Sequence, residues 1–115
     1  ETIRLGLEKV QDTGAAIPTI YVNDTIKKVH LQEGTIYETI IREDLRAAQT
    51  PQVFRHDILR EAYKENLDGA TDDASLVEKL GYHVSIFPGS VENIKITNRL
   101  DLVLAEAILK TRLSD

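Results

Sequence analysis

The 115 residues include no cysteine. Disulfides, thiolate nucleophiles and cysteine-based metal sites are thereby excluded, and a thiol-free composition fits a cytoplasmic protein. Basic charge is also scarce: 14 Lys and Arg face 19 Asp and Glu, a formal net charge of -5. An extended nucleic-acid footprint is not expected of such a chain, although a small phosphate pocket is compatible with it. No apolar run approaches a membrane span and no signal-peptide pattern opens the sequence, so a membrane partner is not expected either. A glycine-rich phosphate loop is missing, so a reaction that needs a cradled triphosphate cannot be assembled from these residues alone. His30, His56 and His83 are too scattered for a metal site, and Ser75 and Ser90 lack a neighbouring His–acid pair. Asp72-Asp73 could hold a cation, but helix capping is the stronger reading.

What is present suits one globular α/β or α+β unit. At 42% hydrophobic the chain can bury about two-thirds of its unfolded surface. Ile3, Leu7 and Val10 mark one face of a helix that Gly14 ends. Ala15 to Val22 reads as an apolar strand, with Pro18 predicting a bulge or an unpaired edge. After a turn at Asn23-Asp24-Thr25, the runs 26–31 and 35–41 form a hairpin closed at Gly34. A helix is expected over about 56–66, a break at Asp68-Gly69-Ala70, and a helix capped by Thr71 or Asp72 and ended by Gly81. A strand follows at Val84, Ile86 and Phe87, and Asn93 to Thr97 alternates like another. Asn98, with Asp101 at the third position, caps a last helix whose apolar face is Leu100, Leu104, Ala107 and Ile108.

Two stretches could carry chemistry. In Ala47 to Phe54, Pro51 biases Thr50 to an extended conformation at the end of a strand, and Gln49 and Gln52 supply amides. Such strand-to-helix transitions hold ligands in α/β proteins; the plainer reading is a turn whose polar groups satisfy backbone. In Asn93 to Asn98, Lys95 is the only charge on its strand, shares a face with Thr97, and precedes a helix N-terminus. That combination attracts phosphate, with a solvated lysine as the alternative. Arg42, at the far end of the hairpin, could clamp a phosphate or pair weakly with Glu38, Glu43 or Asp44. The stretch Asp24 to Arg46 has four Lys or Arg and five Asp or Glu, so an anion site there depends on placement rather than bulk charge.

Taken in order, Asp24-Thr25-Ile26-Lys27, Arg42, Gln49-Thr50-Pro51-Gln52 with Phe54, Thr71-Asp72-Asp73-Ala74-Ser75, and Asn93-Ile94-Lys95-Ile96-Thr97 with Asp101-Leu102 resemble one family. They are similar to the C-terminal half of the 2-C-methyl-D-erythritol 4-phosphate cytidylyltransferases of non-mevalonate isoprenoid biosynthesis. The resemblance implies that residues 1–115 are the C-terminal part of a Rossmann-like nucleotidyltransferase (nucleotide-diphospho-sugar transferase) domain. It also implies a β-hairpin arm at about 24–46 reaching a second subunit of a homodimer.

By the same resemblance, the substrates are CTP and 2-C-methyl-D-erythritol 4-phosphate, and the product besides pyrophosphate is 4-diphosphocytidyl-2-C-methylerythritol. Thr25, Arg42 and Thr50 would hold the methylerythritol phosphate, with Lys95 as the catalytic cation. Such phosphoryl chemistry runs on positioning and charge neutralisation without a nucleophilic side chain. The CTP-binding loop and the Mg2+ ligands are expected in an N-terminal half absent here, so the chain reads as a fragment of a protein roughly twice its length and inactive alone. Ribitol-5-phosphate cytidylyltransferases share Thr-Pro-Gln and Asn-Ile-Lys, and Thr71 to Ser75 favours the methylerythritol enzyme over them. A dimeric, non-catalytic α/β module that senses a phosphorylated metabolite is the other alternative.

Overall fold

The computed structural model describes residues 2–65 and 72–114. In chain order they form α1 (Thr2–Thr13), β1 (Ala15–Tyr21), β2 (Lys27–His30), β3 (Thr35–Thr39), a 3-10 turn (Arg42–Asp44), β4 (Arg46–Ala48), β5 (Val53–Phe54), α2 (His56–Glu65), α3 (Asp73–Lys79), β6 (Ser85–Pro88) and α4 (Arg99–Ser114). The expected break at Asp68-Gly69-Ala70 and the capping alternative Thr71 lie outside the described residues.

β1 is the central strand. On one side it pairs in parallel with β6; on the other it pairs antiparallel with β4 and then β5. Its side chains alternate between two cores, as a strand requires. Ala16 faces Val10 of α1 and Phe87, whereas Ala15 faces Ile58 and Ala62 of α2 and Val77 of α3. Alanines at both positions leave room for a helix layer on each face.

Pro18 is not at an edge. It is fully buried in the middle of β1, in register with Phe87 on one side. On the other side its carbonyl accepts the Gln49 N–H at 2.9 Å. The N–H that proline lacks would have pointed to the Gln49 carbonyl, the reciprocal bond of such an antiparallel pair. Gln52 Nε2 donates to that carbonyl instead, at 3.4 Å. Proline is therefore tolerated where the partner strand breaks between β4 and β5, not where the sheet ends.

The helix ends follow the glycines: Gly14 and Gly81 adopt φ of 86° and 93°, a region that only glycine enters freely. The buried face of α1 differs from the expected one. Val10 is buried, but Ile3 and Leu7 are 60% and 56% exposed, and the contact is made through Gly6. A Cβ on Gly6 would lie 2.6 Å from Val53 Cγ2 and 3.1 Å from the Phe87 ring. A residue with no side chain contributes nothing to hydrophobic periodicity, so the pattern pointed to the wrong face.

Two further expectations fail. Residues 93–97 alternate but join no ladder; they run as an irregular segment. In α4, Leu100 and Leu104 are exposed, and the partly buried positions are Asp101, Ala105 and Ile108. Apolar residues surround α4, with Leu102, Val103 and Leu109 also exposed, so periodicity could not select a face.

Candidate functional site

The break between β4 and β5 brings three loops together. β4 ends at Ala48, so Thr50 lies two residues beyond the strand, and the Thr50–Pro51 peptide is cis. Gln52 reaches the start of α3: its Nε2 donates to Asp72 Oδ2 at 2.9 Å, and its Oε1 accepts the Ala74 N–H at 3.2 Å. Asp72 caps α3, Oδ1 accepting from Ser75 N at 2.8 Å and from Ser75 Oγ at 2.6 Å. Partial burial works to raise the Asp72 pKa, but the hydrogen bonds from Ser75 and Gln52 outweigh it and hold the carboxyl below its ordinary value. Gln49 reaches the other way, to the backbone at Ser90 and Asn93.

Between these loops lies a cleft of about 600 Å3, whose lining includes Ala48, Thr50, Gln52, Asp72, Lys95 and Asp101. Thr50 and Lys95, 45 positions apart in the numbering, thus share one cavity wall. Both are exposed, and among the described residues neither the Thr50 hydroxyl nor the Lys95 ammonium has a hydrogen-bond or ion-pair partner. A free ammonium and a free hydroxyl lining one cleft can take a phosphate oxygen and a neighbouring sugar oxygen.

The helix N-terminus expected to help is already occupied. Asn98 Oδ1 accepts the Asp101 N–H at 2.8 Å, and Asp101 Oδ2 accepts from Thr97 N at 3.1 Å and Thr97 Oγ1 at 2.7 Å. This is the predicted capping pair, and the Thr97 bonds hold the Asp101 pKa down. Thr97 is therefore committed to the cap and does not join Lys95 as a second donor. The anion attraction of the cleft rests on Lys95.

Thr25 and Arg42 are not in this cleft. Arg42 lines a separate groove with Tyr21, Asn23 and Arg46, and its Nη1 donates to the Asn23 carbonyl at 2.6 Å. Among the described residues it forms no ion pair with Glu38, Glu43 or Asp44. Glu38 instead meets Lys28 across the hairpin at 3.2 Å. Thr25 is exposed in the turn before β2. Every residue of β2 and β3 is exposed, with Val29, Ile36 and Tyr37 among the uncovered apolar side chains, and Leu31 in the loop between them is exposed as well. The loop closes as expected at Gly34, whose N–H bonds the His30 carbonyl at 2.8 Å.

In the sequence Gln49 and Gln52 stand out as amide carriers and, with Asn93, as members of the motifs that resemble the family, and none of the three is marked there as a contact residue. Both glutamines follow the plainer reading and satisfy backbone, Gln49 at Ser90 and Asn93 and Gln52 at Gln49 and Ala74, whereas Thr50 lines the cleft. The pairing of Gln49 with residues 90–93 depends on tertiary contact and left no local signal.

The pattern of one family, described as "IspD: 2-C-methyl-D-erythritol 4-phosphate cytidylyltransferase", matches residues 1–111. A 2-C-methyl-D-erythritol 4-phosphate cytidylyltransferase of Bacillus licheniformis is 51% identical over 113 residues, covering 96% of this chain and 48% of the relative. One from Dehalococcoides mccartyi is 48% identical over 110 residues, with 96% and 48% covered. The crystal structure of the Thermus thermophilus 2-C-methyl-D-erythritol 4-phosphate cytidylyltransferase is similar at a TM-score of 0.79 and 40% identity, over 95% of this chain and 54% of that one. The chain spans about half the length of the curated relatives it matches.

Proposed function

The chain belongs to the 2-C-methyl-D-erythritol 4-phosphate cytidylyltransferase family, and from that premise we propose that it forms the sugar-phosphate side of such an enzyme. The observation that carries this reading is the shared cleft of Thr50 and Lys95, with an uncommitted hydroxyl and an uncommitted ammonium. In the proposed reaction a phosphate oxygen of methylerythritol phosphate attacks the α-phosphorus of CTP. The bond to the β-phosphate oxygen breaks and pyrophosphate leaves.

Lys95 holds the attacking phosphate and offsets the negative charge that gathers as two anions meet. Thr50 fixes the same substrate so that attack is in line. Both contributions are positional and electrostatic, the kind that dominates phosphoryl transfer.

Thr25 and Arg42, which do not line this cleft, are assigned to the cleft of a second subunit, reached by the β2–β3 arm. The apolar side chains exposed on the hairpin support that assignment, since a two-stranded hairpin is marginal in water by itself. Magnesium does not fit the described residues. No group of three acidic or histidine side chains gathers among them, and the Asp72 and Asp101 carboxylates already accept hydrogen bonds from their own loops. On this reading the metal and the CTP phosphates are held by the half of the relatives that the chain does not span. No helix among the described residues is long and apolar enough to cross a membrane.

The test is turnover at the full length of the relatives, with CTP and either methylerythritol 4-phosphate or ribitol 5-phosphate. Pyrophosphate release with the first alone is expected. Release with the second alone would reassign the substrate, and release with neither would favour a binding module.

A further inference from the structure

Lys95 lies on a segment that no strand supports, so something else must set its distance from Thr50. At its far end the segment is tied to α4 through Thr97 and Asp101. At its near end Glu92 pairs with Arg112 of α4 at 2.8 Å, and the ties toward Thr50 come from Gln49. Gln49 Nε2 donates to the carbonyls of Ser90 at 2.8 Å and Asn93 at 3.2 Å, and its Oε1 accepts the Ser90 N–H at 3.1 Å. Asn93 answers in the opposite direction, its Nδ2 donating to the Thr50 carbonyl at 2.5 Å. Each amide side chain thus grips the main chain beside the other's functional neighbour: Gln49 the segment leading to Lys95, Asn93 the residue Thr50 itself.

Resting on the cleft reading above, we propose that Gln49 and Asn93 are positioning residues that fix the Lys95–Thr50 spacing for substrate phosphate. Both donors and the acceptor of one planar amide are engaged, which sets its orientation as well as its place. The site is shaped to receive that amide. Gly89 lies against it, and a Cβ there would collide with Gln49 Oε1 and sit 3.2 Å from the Thr19 carbonyl oxygen. Gln49→Glu keeps the shape but turns a carboxylate oxygen toward two carbonyl oxygens. Asn93→Asp does the same at Thr50.

The experiment compares these variants with Lys95→Ala in the protein at the full length of its relatives. Gln49→Glu and Asn93→Asp are each expected to lower kcat/KM for methylerythritol 4-phosphate on the order of 10²-fold, the scale of a misplaced reactive group, with KM for CTP unchanged. In the Lys95→Ala background Gln49→Glu should add no further loss in kcat, because it acts through the residue already removed. Amide exchange over 93–97 should quicken in Gln49→Glu while β1 stays protected. Should β1 lose protection too, Asn93→Ala, which removes the donor to Thr50, is judged on the same readings. Losses that multiply fully with Lys95→Ala, or an unchanged kcat/KM in Gln49→Glu while Lys95→Ala is crippled, would overturn the positioning role alone. An unaffected Lys95→Ala would instead overturn the cleft reading beneath it.

Discussion

Gly6 sets how closely α1 lies on the sheet, and two opposed effects of replacing it can be weighed. Alanine in a helix interior gains about 1 kcal/mol over glycine. Against that, the new methyl would enter the space of Val53 and the Phe87 ring, and overpacking a filled core costs about 1–3 kcal/mol. Gly6→Ala should therefore lower stability, with a shifted denaturation midpoint and an unchanged slope in urea. Asp72 gives a pH-dependent counterpart. Its folded pKa lies below the ordinary value of 3.8, so its contribution is complete above that value and fades as pH falls through the lower folded one. Asp72→Ala should cost about 1 kcal/mol at neutral pH, the usual worth of an N-cap. The gap to the parent should narrow in acid below the ordinary carboxylate range; a gap constant from pH 7 to pH 2 would contradict the hydrogen-bonded carboxylate.

Among the elements, those punctuated by strong local chemistry were legible in the sequence. Gly14, Gly34, Gly81, Asp72 and Asn98 each do what their residue type favours, and they fix where α1, the hairpin, α3 and α4 begin or end. What was illegible depended on absence or on distance. Gly6 carries no side chain for a periodicity to register. Pro18 signals an edge in isolation, yet lies in the central strand because Gln52 supplies the donor it lacks. Ile94 and Ile96 alternate as in a strand, but no strand reaches them, and Gln49 and Asp101 hold the segment instead. Thr50 and Lys95 stood out as candidates from local chemistry, and the cleft they share was only implied by the resemblance. The reciprocal amides between them left no trace in the sequence.

At the scale of the whole molecule, the described residues leave much apolar surface uncovered: Ile3 and Leu7 on α1, Leu100, Leu104 and Leu113 on α4, and Leu31 and Ile36 on the hairpin. Patches of this kind mark surfaces that something else covers. If the arm serves a second subunit, an Arg42→Ala variant and a Lys95→Ala variant, each weak alone, should restore one another when mixed. With random reassortment half the dimers are mixed and one of their two sites is intact, so about a quarter of parental activity should return. No recovery on mixing would return Arg42 to its own subunit or remove it from the site. The most direct measurement is the steady-state kinetics of Lys95→Ala at the full length of the relatives, with CTP and methylerythritol 4-phosphate varied separately. Loss of kcat/KM for the sugar phosphate on the order of 10²-fold or more, with KM for CTP unchanged, is the expected result for a cation that acts on the transferring phosphates. Unchanged kinetics for the sugar phosphate would contradict the central assignment of Lys95 and of the cleft it shares with Thr50.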